Sequence, residues 1–393
     1  MIVKQVILPL RAVSCMVVGT MRTDVIKLDA ANPDLSKIRE AAAVVEAGGL
    51  VAFPTETVYG IAARVRSDTL AMLDSLKGRN RSKPYTLHIG QKDEVGRYVP
   101  SIGLRAERLV ENAWPGPLSI VFELDANDID RQQRTLAREV FEGLYRDNSI
   151  GIRCPDNAIA AALLRHTRNP VVAPSANMAG QSPAADADAV LSAFSDRIDL
   201  VIDGGQCRYG TSSTVAKIGK DGPEILRAGV YTDAEVETMS QVTFLIVCTG
   251  NTCRSPMAEG IFRKYLAEKL GCEVDHLGRK GYKVSSAGVL EMTDHSASSE
   301  AVTACAAKGV DIKAHRSQTL TRRLVEESSR VFAMERMHQA KVAALSPGAA
   351  ARCVLLAGDS EIADPIGQRQ AVYNACADLI EESVRKRISE LVI

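Results

Sequence analysis

Apolar and polar positions alternate along this chain in two different rhythms. From Met21 to about residue 231 the pattern is mixed. The stretch DLSKIREAAAVVEAGG (34–49) places apolar residues at helical spacing and predicts an amphipathic helix, with Asp34 as its cap and Gly48-Gly49 at its end. LVAFP (50–54) is a short apolar run suited to a buried strand. LSIVFEL, SIGIR, PVVAP, LVIDGG and SSTVAKI predict further strands, with helices between several of them. Residues 124–148 are polar and charged and read as a variable excursion. TDAEVETMSQ (232–241) reads as a short connector with helical character rather than a flexible tether.

After the connector the alternation becomes regular. Strand TFLIVC is followed by helix SPMAEGIFRKYLAEKL, strand YKVSSAG, helix SSEAVTACAAKG, strand RVFAM, helix RMHQAKVAAL, strand CVLLAG and a long final helix from about Gln368. This order predicts a doubly wound parallel α/β domain, with ligands beyond the carboxyl ends of its strands. No internal repeat relates the two halves. The expected organisation is therefore a domain over 21–231, the connector, and a different domain over 242–393. Residues 1–20 stay an unassigned extension: Lys4, Pro9 and Arg11 interrupt the apolar run too often for a membrane span or a clear signal peptide.

Composition narrows the function classes. The chain has 393 residues, 46% hydrophobic and 24% charged, which fits soluble globular domains. Net charge is zero, so any nucleic-acid or phosphate site must be local. Nine cysteines are scattered without metal-type C-x2-C pairs, so no metal site is predicted, and a reducing cytoplasmic setting fits better than a disulfide scaffold.

The sharpest local chemistry is VCTGNTCRSPMAE. Cys248 ends an apolar strand, and a helix opens just past Arg254. A loop of Thr249, Gly250, Asn251, Thr252 and Cys253 wrapped at a helix start aims backbone N–H groups at one point, a cradle for an anion. That positive end should depress the Cys248 thiol toward thiolate. Arg254 offers a planar fork to phosphate oxygens, and Ser255 could hydrogen-bond the sulfur. Asp364-Pro365, in a loop before the last helix, supplies a candidate general acid. With SSAGV and DPIG, these residues resemble the low-molecular-weight protein tyrosine phosphatase family over about 242–393. The resemblance implies a flavodoxin-like fold and a metal-free reaction through a phosphocysteine on Cys248, with Asp364 first acid and then base. Thr252 and the non-aromatic Ile366-Gly367 favour the branch that resembles bacterial protein-arginine phosphatases, and phosphoarginine over phosphotyrosine. Cys253 reads either as a small loop residue or as a reversible oxidation partner of Cys248.

In the first half, GGLVAFPTETVYGIAA places hydroxyls at a strand end, and LKGRNRSKPYTLHI concentrates Lys77, Arg79, Arg81 and Lys83 before His88. No G-x4-G-K-[ST] motif occurs. As a bare charge run the second segment would be a solvated face. WPGPLSIVF, IGIRCPDN, VVAPSANMAGQSP, DGGQCRYGTSSTVAKI and ILRAG follow in order, and together these motifs resemble the YrdC-like L-threonylcarbamoyladenylate synthase family over about 23–231. The resemblance implies a twisted mixed-sheet α/β domain with a concave basic pocket. There ATP (with Mg²⁺), bicarbonate and L-threonine would become threonylcarbamoyl-AMP and pyrophosphate. Lys77, Arg79, Ser175, Asn177 and Arg227 should face ATP; Thr55, His88, Arg153 and Ser213 should hold threonine; Ser149 should lie near the shared pocket.

The expectation is a bifunctional cytoplasmic enzyme without a membrane span, acting on a phosphorylated protein with one site. It would hand the product of the other to a tRNA threonylcarbamoyl transferase. The alternative is a phosphotyrosine phosphatase fused to an RNA-binding or regulatory module without turnover.

Overall fold

The structure is a computed structural model that describes residues 22–78, 84–219 and 221–393. The extension 1–20 and Arg79 lie outside the described residues. Two sheets organise the described chain. The first runs Asp24–Lys27, Leu200–Asp203, Val51–Phe53, Gly60–Arg64, Val171–Val172, Thr86–His88, Ser149–Arg153, Leu118–Glu123, Thr214–Gly219 and Gly222–Arg227, with Tyr145–Arg146 paired to the outer end of Ser149–Arg153. Its pairings are both parallel and antiparallel, so it is a mixed sheet. The helix Leu35–Ala47 starts where Asp34 accepts from Ser36 N and stops at Gly48, whose φ of 95° is a left-handed cap.

The segment 124–148 departs from its reading as an excursion. It folds into helices Ala126–Thr135 and Arg138–Leu144. The buried face of the first carries Asp128 and Gln132, which bind Ser101 and the Arg97 carbonyl. Because polar residues fill core-facing positions, the apolar periodicity that marks a helix is faint.

The second sheet is parallel throughout, in the order Tyr282–Gly288, Val242–Cys248, Arg330–Ala333, Cys353–Leu355. The strand order reverses beside Val242–Cys248, which puts Cys248 at the switch point where open α/β sheets bind ligands. Helix Arg254–Leu270 follows it directly and packs against the final helix, Gln370–Glu390.

Between the sheets lies the helix Asp233–Met239, begun by a capping box of Thr232 and Glu235. Helix Leu104–Ala113 of the first half packs across the junction. Leu104 is buried in the second core, and its N–H donates to Val392 O at 3.0 Å. Buried Arg105 donates to Glu237 (2.7 Å), Ser240 Oγ (2.6 Å) and Lys280 O (3.1 Å). Gly281, at φ +79°, makes room for that guanidinium; a Cβ there would sit 2.5 Å from it. Glu107 pairs with Arg330 at 2.6 Å.

Candidate active sites

Strand register assembles the N-terminal site. His88 and Arg153 are the carboxyl-end residues of parallel neighbours and stand in register with each other. Arg153 faces Ser119 across the next, antiparallel pair. Ser213 precedes the strand Thr214–Gly219, and Arg227 ends its antiparallel partner. Five polar side chains from distant segments thus share one edge of the sheet. Ser119 and Ser213 hydroxyls lie 3.1 Å apart, and Arg227 donates to Ser213 O (2.8 Å) and Oγ (3.1 Å).

The 54–60 segment closes over this edge. Arg153 donates to Glu56 (3.0 Å) and to Thr57 Oγ1 (2.6 Å), while its buried Nε has no partner among the described residues. Thr55 Oγ1 donates to Val58 O at 2.7 Å and caps the turn. The other carboxylate oxygen of Glu56 accepts from Asp156 N at 3.1 Å. Thr57 is one of the hydroxyls the sequence places at this strand end; Glu56 was not singled out, although an acidic residue between two apolar strands is the signal that could have found it. Burial and the Arg153 charge push His88 down to about 3, so its imidazole is neutral. Burial and the neighbouring Arg153 also lower Arg227.

A second cluster joins the same segment. Gly60 bridges to Ser175. Lys77, buried rather than on a solvated face, donates to Ser175 O and to Asn177 O (2.6 Å), and Ser175 Oγ donates to Asn177. Ser149 is not brought to either cluster. It starts the strand that Arg153 ends, pairs with Glu123, and donates to Arg146 O at 2.8 Å. Four residues of extended chain hold it roughly 13 Å from Arg153.

The C-terminal site is built from one loop and its supports. Cys248 Sγ lies 2.9 Å from Ser255 Oγ, and Asn251 N–H donates to it at 3.2 Å. Asn251 adopts φ 55°, a left-handed turn that Asn tolerates, and this bends the 249–253 loop back toward the sulfur. Its side chain is buried and donates to Ser255 Oγ and Ser286 Oγ, both at 2.8 Å. Gly288 lets the loop approach the neighbouring strand, since a Cβ there would stand 2.9 Å from Thr249 O and Gly250 C. Thr252 Oγ1 lies 3.7 Å from Cys253 Sγ, which also contacts Tyr373 Oη at 3.4 Å.

Arg254 is 1% exposed. Its Nη1 donates to Ile362 O (2.8 Å) and faces Glu335 (3.2 Å); its Nη2 donates to Thr249 Oγ1 (2.9 Å) and to Asp364. The buried Nε has no partner among the described residues. Arg254 thus ties Asp364 to the loop that holds Cys248. The expected depressed thiol does not appear: burial pushes Cys248 up, against hydrogen bonds from Ser255 and Asn251 and the Arg254 charge. The physical reason is desolvation: the buried sulfur loses more by giving up water as a thiolate than these donors return. Glu335 and the fully buried His338 were also missed, because RMHQAKVAAL reads as an ordinary helix.

Each half of the chain is similar to known proteins. A family model described as "Telomere recombination" (Sua5, YciO, YrdC) matches residues 43–229, and one described as low molecular weight phosphotyrosine protein phosphatase matches 242–392. A threonylcarbamoyl-AMP synthase of Pyrococcus abyssi is 34% identical over 202 residues, 51% of this chain and 56% of that one. The Mus musculus threonylcarbamoyl-AMP synthase is 30% identical over 239 residues, 57% of this chain and 79% of that one. The chain belongs to the threonylcarbamoyl-AMP synthase family. It spans about half the length of the archaeal relative and of one from Bacillus subtilis, 56% in each. This member of the family is a fusion, whose second part is a low-molecular-weight phosphatase domain. The solved YwlE arginine phosphatase aligns with 38% of the chain and 95% of its own length, at 30% identity and a TM-score of 0.34. Among the described residues no helix is long and apolar enough to cross a membrane.

Proposed function

We propose that the chain is a bifunctional cytoplasmic enzyme, divided near the helix Asp233–Met239. The N-terminal half converts ATP, bicarbonate and L-threonine to L-threonylcarbamoyl-AMP and pyrophosphate, and its product passes to a tRNA threonylcarbamoyl transferase. The C-terminal half dephosphorylates a phosphoprotein. One observation carries the reading: the first half buries Lys77 and Arg153, and the second buries Arg254 in one loop with the Cys248 sulfur. This supports adenylate formation in the first and phosphoryl transfer to sulfur in the second.

The first reaction needs no protein nucleophile. The threonine amine attacks the bicarbonate carbon with loss of water, and the carbamate oxygen then attacks the α-phosphorus and displaces pyrophosphate. The protein's part is positioning and charge. Arg153 suits the threonine carboxylate, with Thr55, His88 and Ser213 around the amino acid; Lys77, Arg79, Ser175, Asn177 and Arg227 suit the nucleotide. The described residues include no group of three His, Cys, Asp or Glu that could hold a metal. Mg²⁺ therefore fits as the counter-ion of the ATP phosphates, part of the substrate.

In the second reaction Cys248 sulfur attacks phosphorus, the loop N–H groups and Arg254 hold the phosphoryl oxygens, and Asp364 protonates the leaving atom. Asp364 then takes a proton from the water that hydrolyses phosphocysteine. Ile366 is 64% exposed beside Asp364, an aliphatic rim that lacks stacking for a phenyl ring. With the Thr252 hydroxyl it favours phosphoarginine.

Threonine- and bicarbonate-dependent pyrophosphate release, lowered about 100-fold in Lys77→Ala, tests the first half; tight RNA binding without turnover would support a regulatory module instead. Rates on phosphoarginine and phosphotyrosine peptides, both lost in Cys248→Ser, test the second.

A further inference from the structure

We propose that His338 is a positioning residue of the phosphatase site, donating from Nε2 to Thr249 Oγ1 and so holding the start of the anion loop and the Arg254 guanidinium in their working attitude. The proposal rests on the phosphatase reading above.

His338 is fully buried in helix Arg336–Leu345, which leaves the strand Arg330–Ala333 beside the switch point. Its hydrogen can be placed. The backbone N–H of Glu335 points at Nδ1 from 3.1 Å, and an N–H can meet only a lone pair there. Nδ1 is therefore bare, and the neutral ring carries its hydrogen on Nε2. Burial and the Arg254 charge lower the His338 pKa, outweighing Glu335, Asp364 and Glu361, which favours this neutral form.

Nε2 is 3.0 Å from Thr249 Oγ1 and 3.5 Å from the Glu335 carboxylate. Thr249 is the residue next to the nucleophile, and its oxygen also accepts from Arg254 Nη2 at 2.9 Å. Two donors occupy that oxygen, so the threonine hydrogen must turn away from both. Glu335 meanwhile faces Arg254 Nη1 at 3.2 Å. The guanidinium is thus held from both terminal nitrogens by a frame in which His338 closes the ring. A helix-capping role would use Nδ1 alone; the Nε2 bond reaches the catalytic loop and serves something else.

Two substitutions in the full chain separate the two ring nitrogens. His338→Gln keeps an N–H donor near the Nε2 position and loses the acceptor for Glu335 N. His338→Asn keeps an acceptor near Nδ1 and cannot reach Thr249. On para-nitrophenyl phosphate, His338→Asn should lower kcat by about 10-fold with KM within about 3-fold, as for a lost hydrogen bond in a charged network. His338→Gln should stay within about 3-fold of wild type. Thr249→Val should match the Asn variant, and the double variant Thr249→Val/His338→Asn should be no slower than either single change. A wild-type rate in His338→Asn, equal losses in Asn and Gln, or additive losses in the double variant would each overturn the proposal. A wild-type chain that fails to hydrolyse any phosphoryl substrate would instead overturn the phosphatase reading.

Discussion

The two candidate sites reach similar electrostatics by opposite routes. In the C-terminal half one continuous segment, 248–255, carries sulfur, backbone cradle and guanidinium, and Asp364, Glu335 and His338 join it from elsewhere. In the N-terminal half the charged edge is drawn from strand ends far apart in the chain. Covalent chemistry concentrates its requirements on a few atoms held to tight tolerances, which a loop fixed at a helix start provides. A reaction between bound substrates asks for positioning alone, and that can be spread over many weak holds.

The contrast can be broken experimentally. Cys248→Ser should lower phosphatase kcat by about 10⁴-fold or more, while threonine-dependent pyrophosphate release stays at the wild-type rate. A shared loss would mean that the halves do not work independently.

The buried imidazole of the N-terminal half should show a pH signature next. His88 takes up its proton near 6.5 when unfolded and near 3 when folded, so its contribution to stability is complete above pH 6.5 and disappears as pH falls toward 3. His88→Gln should remove about 4 kcal/mol of that acid loss in urea titrations at a series of pH values. An unchanged acid limb would mean that His88 is not the buried neutral group described.

If the N-terminal holds are dispersed, no single one should dominate. Arg227→Ala should lower threonine-dependent pyrophosphate release by about 100-fold, a smaller loss than Cys248→Ser causes in the other half. A loss of about 10⁴-fold would place that site, too, under one dominant residue.

The smallest effect concerns the junction. Arg105→Ala leaves Glu237 and the Ser240 and Lys280 oxygens without their shared donor and should cost about 2 kcal/mol. Because Leu104 lies in the second core, both activities should be lost at one lowered melting temperature. Two separate transitions would show that the halves unfold independently.

How far each site could be read in advance follows from the same difference. The loop 248–255 was legible because neighbours in sequence are neighbours in space. Thr55, Arg153, Ser213 and Arg227 were named only through resemblance to a family, since charge runs and lone polar residues carry no mark of convergence. Ser149 shows the cost: it shares a strand with Arg153, but strand rise carries it to the far end. The helices of 126–144 were missed because Asp128 and Gln132 occupy core positions.

By itself the sequence determined the parallel sheet of the second half, through apolar periodicity, and the candidate nucleophile, through a contiguous motif; the mixed sheet of the first half was legible only through resemblance to a family. The tertiary structure alone decided that Glu56 neutralises Arg153, that Arg254 shares its charge with Glu335 and Asp364, and that His338 stands behind Thr249. Periodicity is a property of local geometry, whereas hydrogen bonds and charge sharing depend on which strand ends and helix starts the folded sheet brings within a few ångströms.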